Sequence, residues 1–169
     1  MKRIIISFYL IITFFFGYNV NAQSSKKEEK AQKKLEAYQK VVSLIESGKF
    51  EFQARKANPQ RGRQIDLATN PNYLRVDQDN VKAEMPYFGV VQSGLLSGES
   101  GVKFDGESLS YVVDKDDKKQ KVTIKFKVRD NGESYNCILS VSGESNATLS
   151  ISFNRRDRIS YYGGIYEIK

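Results

Sequence analysis

The chain has 169 residues, 27 of them basic and 20 acidic, for a formal charge of +7, with one cysteine and no histidine. That length suits one domain with a core of ordinary size. The lone Cys137 excludes an intrachain disulfide. The missing imidazole excludes Ser-His-Asp and Cys-His catalysis, the usual zinc sites and the commonest general base near neutral pH.

In chain order, the first element expected is a leader. Lys2 and Arg3 precede an apolar run over 4–16 broken only by Ser7 and Thr13, and Val20-Asn21-Ala22 supplies a small-residue cleavage site. This pattern predicts a secretory signal peptide over 1–22, cut near Ala22. A helix of that apolar length covers about 20 Å, short of the ~30 Å hydrocarbon core, which argues against a membrane anchor. Gln23 stands where a lipoprotein would carry its cysteine. The mature chain is therefore expected to be periplasmic or secreted, without a lipid or a transmembrane segment. Losing Lys2 and Arg3 with the leader takes its charge to +5 over 147 residues. That balance predicts weak, salt-sensitive attraction to anionic envelope surfaces rather than a nucleic-acid partner.

Residues 23–34 read as a polar linker or frayed helix start ahead of a single domain over 35–169. Leu35, Tyr38, Val42 and Ile45 recur at helical spacing and predict an amphipathic helix over 28–47. Glu29–Lys33 and Glu36–Lys40 support it at i, i+4, and Gly48 caps it. Beyond Gly48 the period changes to two. Strands are predicted at 50–57, 63–67, 72–77, 80–85, 108–114, 121–130, 134–143, 147–153 and 158–168, separated by turn clusters. The clearest is KVTIKFKV, with Val122, Ile124, Phe126 and Val128 facing inward and lysines facing water. Asp130-Asn131-Gly132 predicts a type I′ hairpin turn. Strands this closely spaced, joined by turns, imply a mainly β fold: an N-terminal helix and then an antiparallel meander. Cys137, among Tyr135, Leu139 and Val141, is expected to be a packed, inert thiol.

Few chemistries survive this reading. Gly98-Glu99-Ser100-Gly101 lacks the second glycine of a nucleophile elbow, since Val102 stands there, and Gly-Glu-Ser recurs at 98, 106, 132 and 143 as turn chemistry. No Gly-Lys-Ser/Thr follows the loose glycines at 94, 98 and 101. Loops starting at Asp77 and Asp114 lack the sixth-position glycine and twelfth-position glutamate of a calcium loop. No cofactor or metal is therefore expected. A pair of carboxylates meeting in space cannot be read from sequence, so a hydrolase without histidine stays open as an alternative. The residual signal is aromatic: Tyr87 and Phe88 open a glycine-rich segment, and Tyr161 and Tyr162 precede Gly163-Gly164. Rings beside glycine can line a pocket for a sugar or an apolar ligand. These four residues are the candidate ligand contacts, and no residue is a catalytic candidate.

The order of FEFQA at 50–54, MPYFG at 85–89, GVKF at 101–104 and ISYYGGI at 159–165, behind a leader and a helix, resembles the exported bacterial family known as domain of unknown function 4251, typical of Bacteroidetes-type envelopes. Many of its members look like lipoproteins, from which Gln23 sets this chain apart. The resemblance implies a lipocalin-like antiparallel β-barrel of about eight or more strands, and no activity. In such a barrel Pro86 would end a strand, Tyr87 and Phe88 would plug or rim one end, and residues 89–101 would be a connection or lid. The functional expectation is a non-catalytic exported binding or envelope-interaction module, its partner a small ligand or an envelope protein. A structural subunit docking through the N-terminal helix is the further alternative.

Overall fold

The computed structural model describes residues 19–90, 101–143 and 145–168. The apolar run of the expected leader and residues 91–100 of the glycine-rich connection lie outside the described residues. Two compact units divide at Glu36 and Ala37, within one helix, α1, spanning Asn19–Glu46. In the first unit the helix is exposed and charged over residues 26–34. The tract 23–34, read as a linker or frayed start, is helical throughout. Glu29 and Lys33 pair at 2.6 Å, whereas Glu36 takes its bond from Gln32 at 3.1 Å rather than from Lys40.

In the second unit the helix presents Tyr38, Val41 and Ile45 to the core. The buried stripe is thus turned slightly from the expected one: Val41 is fully buried, Val42 packs half-buried against the core, and Leu35 is exposed. A 3.6-residue repeat passes near both choices, and only the packing partner selects between them. Gly48 ends the helix, donating to the Ile45 carbonyl at 3.1 Å. Tyr38 donates to Asp117 at 2.7 Å, and burial together with that bond raises its phenol pKa to about 12. Lys115 pairs with Glu46. This half of the helix is therefore tied to the hairpin over 114–121.

Among the described residues ten antiparallel strands follow: β1 Lys49–Pro59, β2 Ile65–Asp66, β3 Tyr73–Asp77, β4 Asn80–Pro86, β5 Gly101–Glu107, β6 Leu109–Asp116, β7 Lys121–Asp130, β8 Glu133–Ser142, β9 Asn146–Phe153 and β10 Ile159–Tyr166. Nine run in the order β5-β4-β3-β1-β10-β9-β8-β7-β6, and β2 pairs with β1 off that path. First and last strands pair, so the break in the ladder falls mid-chain, at β5 and β6. Ser108 alone joins those two edges, and Tyr135 on β8 reaches across to the Lys103 carbonyl on β5 at 3.2 Å. The result is the antiparallel, nearly closed barrel that the resemblance implied. β5 was not among the expected strands. Its alternation rests on Val102 and Phe104 alone, between glycines, which is too short a run to declare itself.

The pleat sends alternate side chains inward. On β7, Val122, Ile124, Phe126 and Val128 are buried, as the sequence required, and they face Cys137, Leu139 and Val141 on β8. Asn131 and Gly132 take positive φ, 48° and 76°, as a type I′ turn demands. Phe50, Phe52, Leu74, Phe104, Ile124, Leu149, Ile151 and Tyr161 pack the interior with almost no exposure. At one end an ion pair completes it. Arg156 donates Nε to Glu133 Oε1 at 2.9 Å and Nη1 to the Gly101 carbonyl at 2.8 Å. Its Nη2 lies 2.8 Å from Glu133 Oε2, near enough for charge but not aligned to donate. The Tyr87 and Phe153 rings flank the guanidinium at 5.5 and 5.7 Å.

Candidate functional site

The four aromatic candidates do not share one wall. Tyr161 points inward and donates to the Pro86 carbonyl at 2.8 Å, and burial holds its hydroxyl well above the usual phenol range. Tyr87 is also buried, donating to the Asp157 carbonyl at 2.8 Å, with the Val90 carbonyl 3.2 Å from the same hydroxyl. These two rings, with Phe153, close the barrel end beside Arg156. Phe88 is 38% exposed after β4 has ended at Pro86. Tyr162 is 40% exposed on the outer face, because it neighbours inward Tyr161 on the pleat.

Tyr162 belongs to a groove of about 440 Å³ on the outer wall, lined among others by Arg55, Lys56, Ser142, Asn146, Thr148 and Tyr162. Its geometry originates in β1. Along that strand the inward positions are Phe50, Phe52 and Ala54, and then Ala57 and Pro59, so the parity changes once. The change is a β-bulge: Ala54 pairs with Gly163 and Lys56 with Tyr162, leaving Arg55 as the extra residue. A bulge puts consecutive side chains on one face. Arg55 and Lys56, adjacent cations, therefore both face outward.

Gly163 makes the bulge possible. A Cβ there would lie 1.8 Å from the Gln53 carbonyl oxygen and 2.8 Å from the Ala54 Cα, so only glycine allows β1 and β10 to approach this closely. The Gly163 carbonyl accepts from Arg55 Nη2 at 3.2 Å, and Asn146 Oδ1 accepts from the same nitrogen at 3.4 Å. Both acceptors are neutral. They fix the guanidinium in place without cancelling its charge. Among the described residues neither Arg55 nor Lys56 forms an ion pair. Asp66 stands opposite Lys56 across β2 but accepts from the Ala68 amide at 2.8 Å. Farther along β1, Glu51 is held by Arg75 at 2.5 Å.

Aromatic surface extends the groove. On β10 the outward row runs Ser160, Tyr162, Gly164 and Tyr166, with Gly164 covered and the two tyrosines 40% and 46% exposed. The Tyr166 hydroxyl passes 2.9 Å from where a Gly164 Cβ would sit, so this ring leans over the glycine. Tyr162 lies in one cross-strand row between Lys56 and Thr148. Arg55 and Lys56 were not candidates at the sequence level, although the parity change between Ala54 and Ala57 was visible there.

A second hollow, about 200 Å³, gathers Glu84, Asp105 and Asp130 with Tyr73, Lys82 and Lys103. It is where a carboxylate-based hydrolase would have to be sought. Asp105 is bound by Lys82 at 2.8 Å and accepts from Asn80 at 3.3 Å, and these bonds hold its carboxyl below the usual range. A general acid needs the opposite shift. Among the described residues no group of three or more Cys, Asp or Glu side chains is arranged to hold a metal ion.

No curated protein matches the chain. Among solved structures it is similar to a DUF4251 family protein from Bacteroides eggerthii DSM 20697, with 20% identity over 78% of this chain and 87% of that one and a TM-score of 0.61, a likeness of fold. The profile described as "Domain of unknown function (DUF4251)" matches residues 32–165, most of the sequence. The chain therefore belongs to the DUF4251 family.

Proposed function

We propose that the protein is a non-catalytic binding module acting after export, in the periplasm or outside the cell, and that it takes a small anionic ligand on the outer wall of its barrel. The observation that carries this reading is the groove at the β1 bulge, where a fixed guanidinium and a neighbouring ammonium stand without carboxylate partners beside an exposed ring. Cations arranged before the ligand arrives give affinity because less reorganisation remains to be done. Large side chains occupy the inward positions, which directs binding to the wall rather than to the barrel interior. The groove offers hydroxyls and an amide but no carboxylate or imidazole among its described lining residues, a set suited to holding rather than to proton transfer. Export is supported by the basic, apolar and small-residue order of 1–22.

The test is native mass spectrometry of the protein from its own envelope, run beside the double variant R55A/K56A. A co-purifying anionic small molecule, lost in the variant, is the expected result. A ligand retained in full by the variant, or one that the protein turns over, would overturn the proposal. Amino-terminal sequencing of the exported protein should begin at Gln23.

A further inference from the structure

We infer that the ligand of this groove is an acidic carbohydrate, a sugar ring stacked on Tyr162 with its carboxylate held by Arg55 and Lys56. The inference rests on the binding-module reading and adds the chemical class. Arg55 engages Nη2 with the Gly163 carbonyl and Asn146, and its Nε and Nη1 have no described partner. A carboxylate can accept a charge-assisted bond from one of these remaining donors. Lys56 follows on the same face through the bulge and supplies the second cation.

The remaining lining residues decide what carries the carboxylate. Tyr162 is flanked by Lys56 in its own cross-strand row and by Thr148 on β9, which keeps its ring in place at the groove wall while leaving it 40% exposed. An exposed ring is a flat apolar platform with a polar tip, suited to the C–H face of a pyranose. Ser142, Asn146 and Thr148 add hydroxyl and amide groups that both donate and accept. Neighbouring sugar hydroxyls need that dual capacity, whereas an inorganic anion needs donors only and a fatty carboxylate needs neither. The volume of about 440 Å³ lies within the ~300–1,000 Å³ of small-molecule sites and far exceeds one ion.

The experiment is calorimetric titration of the mature protein with a glucuronate-containing trisaccharide, the matched neutral trisaccharide, a phosphorylated monosaccharide and inorganic phosphate. The acidic trisaccharide should bind, and raised salt should weaken it. Its neutral counterpart should bind about 10- to 100-fold more weakly, the value of charge-assisted hydrogen bonds. R55A should lose more than R55K, which keeps a cation, while Y162A should weaken the acidic trisaccharide about tenfold and Y162F should restore it. Arg55, Lys56 and Tyr162 are all exposed, and circular dichroism checks that each variant folds. Phosphate binding as tightly as the acidic sugar, indifferent to Y162A, would sink the carbohydrate class and leave the binding module standing. The phosphorylated sugar binding best, with Tyr162 still required, would replace the carboxylate by a phosphate. Equal binding of the neutral trisaccharide would remove the acidic group. Failure of all four probes to bind would overturn this inference, whereas an envelope-derived ligand lost in R55A/K56A would keep the binding module.

Discussion

Replacing Arg156 by methionine keeps most of the apolar stem and removes the charge, which leaves Glu133 alone in the barrel end. The side chains of Arg156 and Glu133 are 8% and 3% exposed, so water cannot take over the lost bonds. The 2.9 Å bond from Nε, the 2.8 Å charge contact at Oε2 and the 2.8 Å bond to the Gly101 carbonyl all disappear together. Breaking a buried pair from one side costs about 3–5 kcal/mol, because the surviving charge is uncompensated. For a domain of this size that corresponds to a fall of about 10–20 °C in Tm. Replacing Glu133 alone by methionine should cost a similar amount. The double replacement should recover most of the loss, ending within about 2 kcal/mol of wild type, since only the Gly101 carbonyl then lacks its donor. Urea unfolding with linear extrapolation measures all four proteins, provided m is unchanged. Single losses below about 1 kcal/mol, or a double loss equal to their sum, would show a pair behaving as if on the surface and refute the reasoning.

Gly163→Ala places a methyl 1.8 Å from the Gln53 carbonyl oxygen. It should cost at least about 3 kcal/mol by urea unfolding, since the backbone must part where strain is least tolerated. An effect under 1 kcal/mol would mean that β1 and β10 do not approach this closely in solution. Tyr111 has a buried hydroxyl without a partner among the described residues, its ring stacked 6.1 Å from that of Phe126. Tyr111→Phe should therefore stabilise by about 1 kcal/mol. Burial raises the Tyr111 pKa from 10.0 to about 12, so its neutral form stabilises the fold fully below pH 10.0 and loses that contribution as pH climbs towards 12. The variant should accordingly unfold less steeply over that window, and an unchanged alkaline slope would contradict the burial. Cys137 is buried and burial pushes its thiol pKa far up, so iodoacetamide at pH 8 should leave it unmodified until denaturant is added. Stoichiometric labelling of the native protein would contradict the packing of β8.

Much of the fold was legible because a strand's alternation is a local property. KVTIKFKV shows its buried and wet faces through its own residues, and Asn131-Gly132 shows its turn through the φ angles it tolerates. Cys137 could be placed among apolar neighbours two positions either side, and its burial followed. Elements lying near the limit of such signals were harder to read. β5 offered two apolar residues between glycines, and the helix stripe could turn from Val42 to Val41 without leaving a helical repeat.

The candidate site was half visible. Tyr162 stood out beside its glycines, and alternation implied that Tyr161 and Tyr162 face opposite ways. Arg55 and Lys56 left only a change of parity, which says that a bulge exists but not what it faces. Local alternation and composition were enough to say which strand side chains point inward, where the chain turns, and that these residues form no intrachain disulfide and carry no imidazole. Only the tertiary structure decided that β1 closes against β10, so that Gly163 receives the bulge and Asn146 reaches Arg55 from β9. Alternation is set within a few residues by the geometry of one strand, whereas the choice of neighbour across more than a hundred residues depends on how the whole sheet closes.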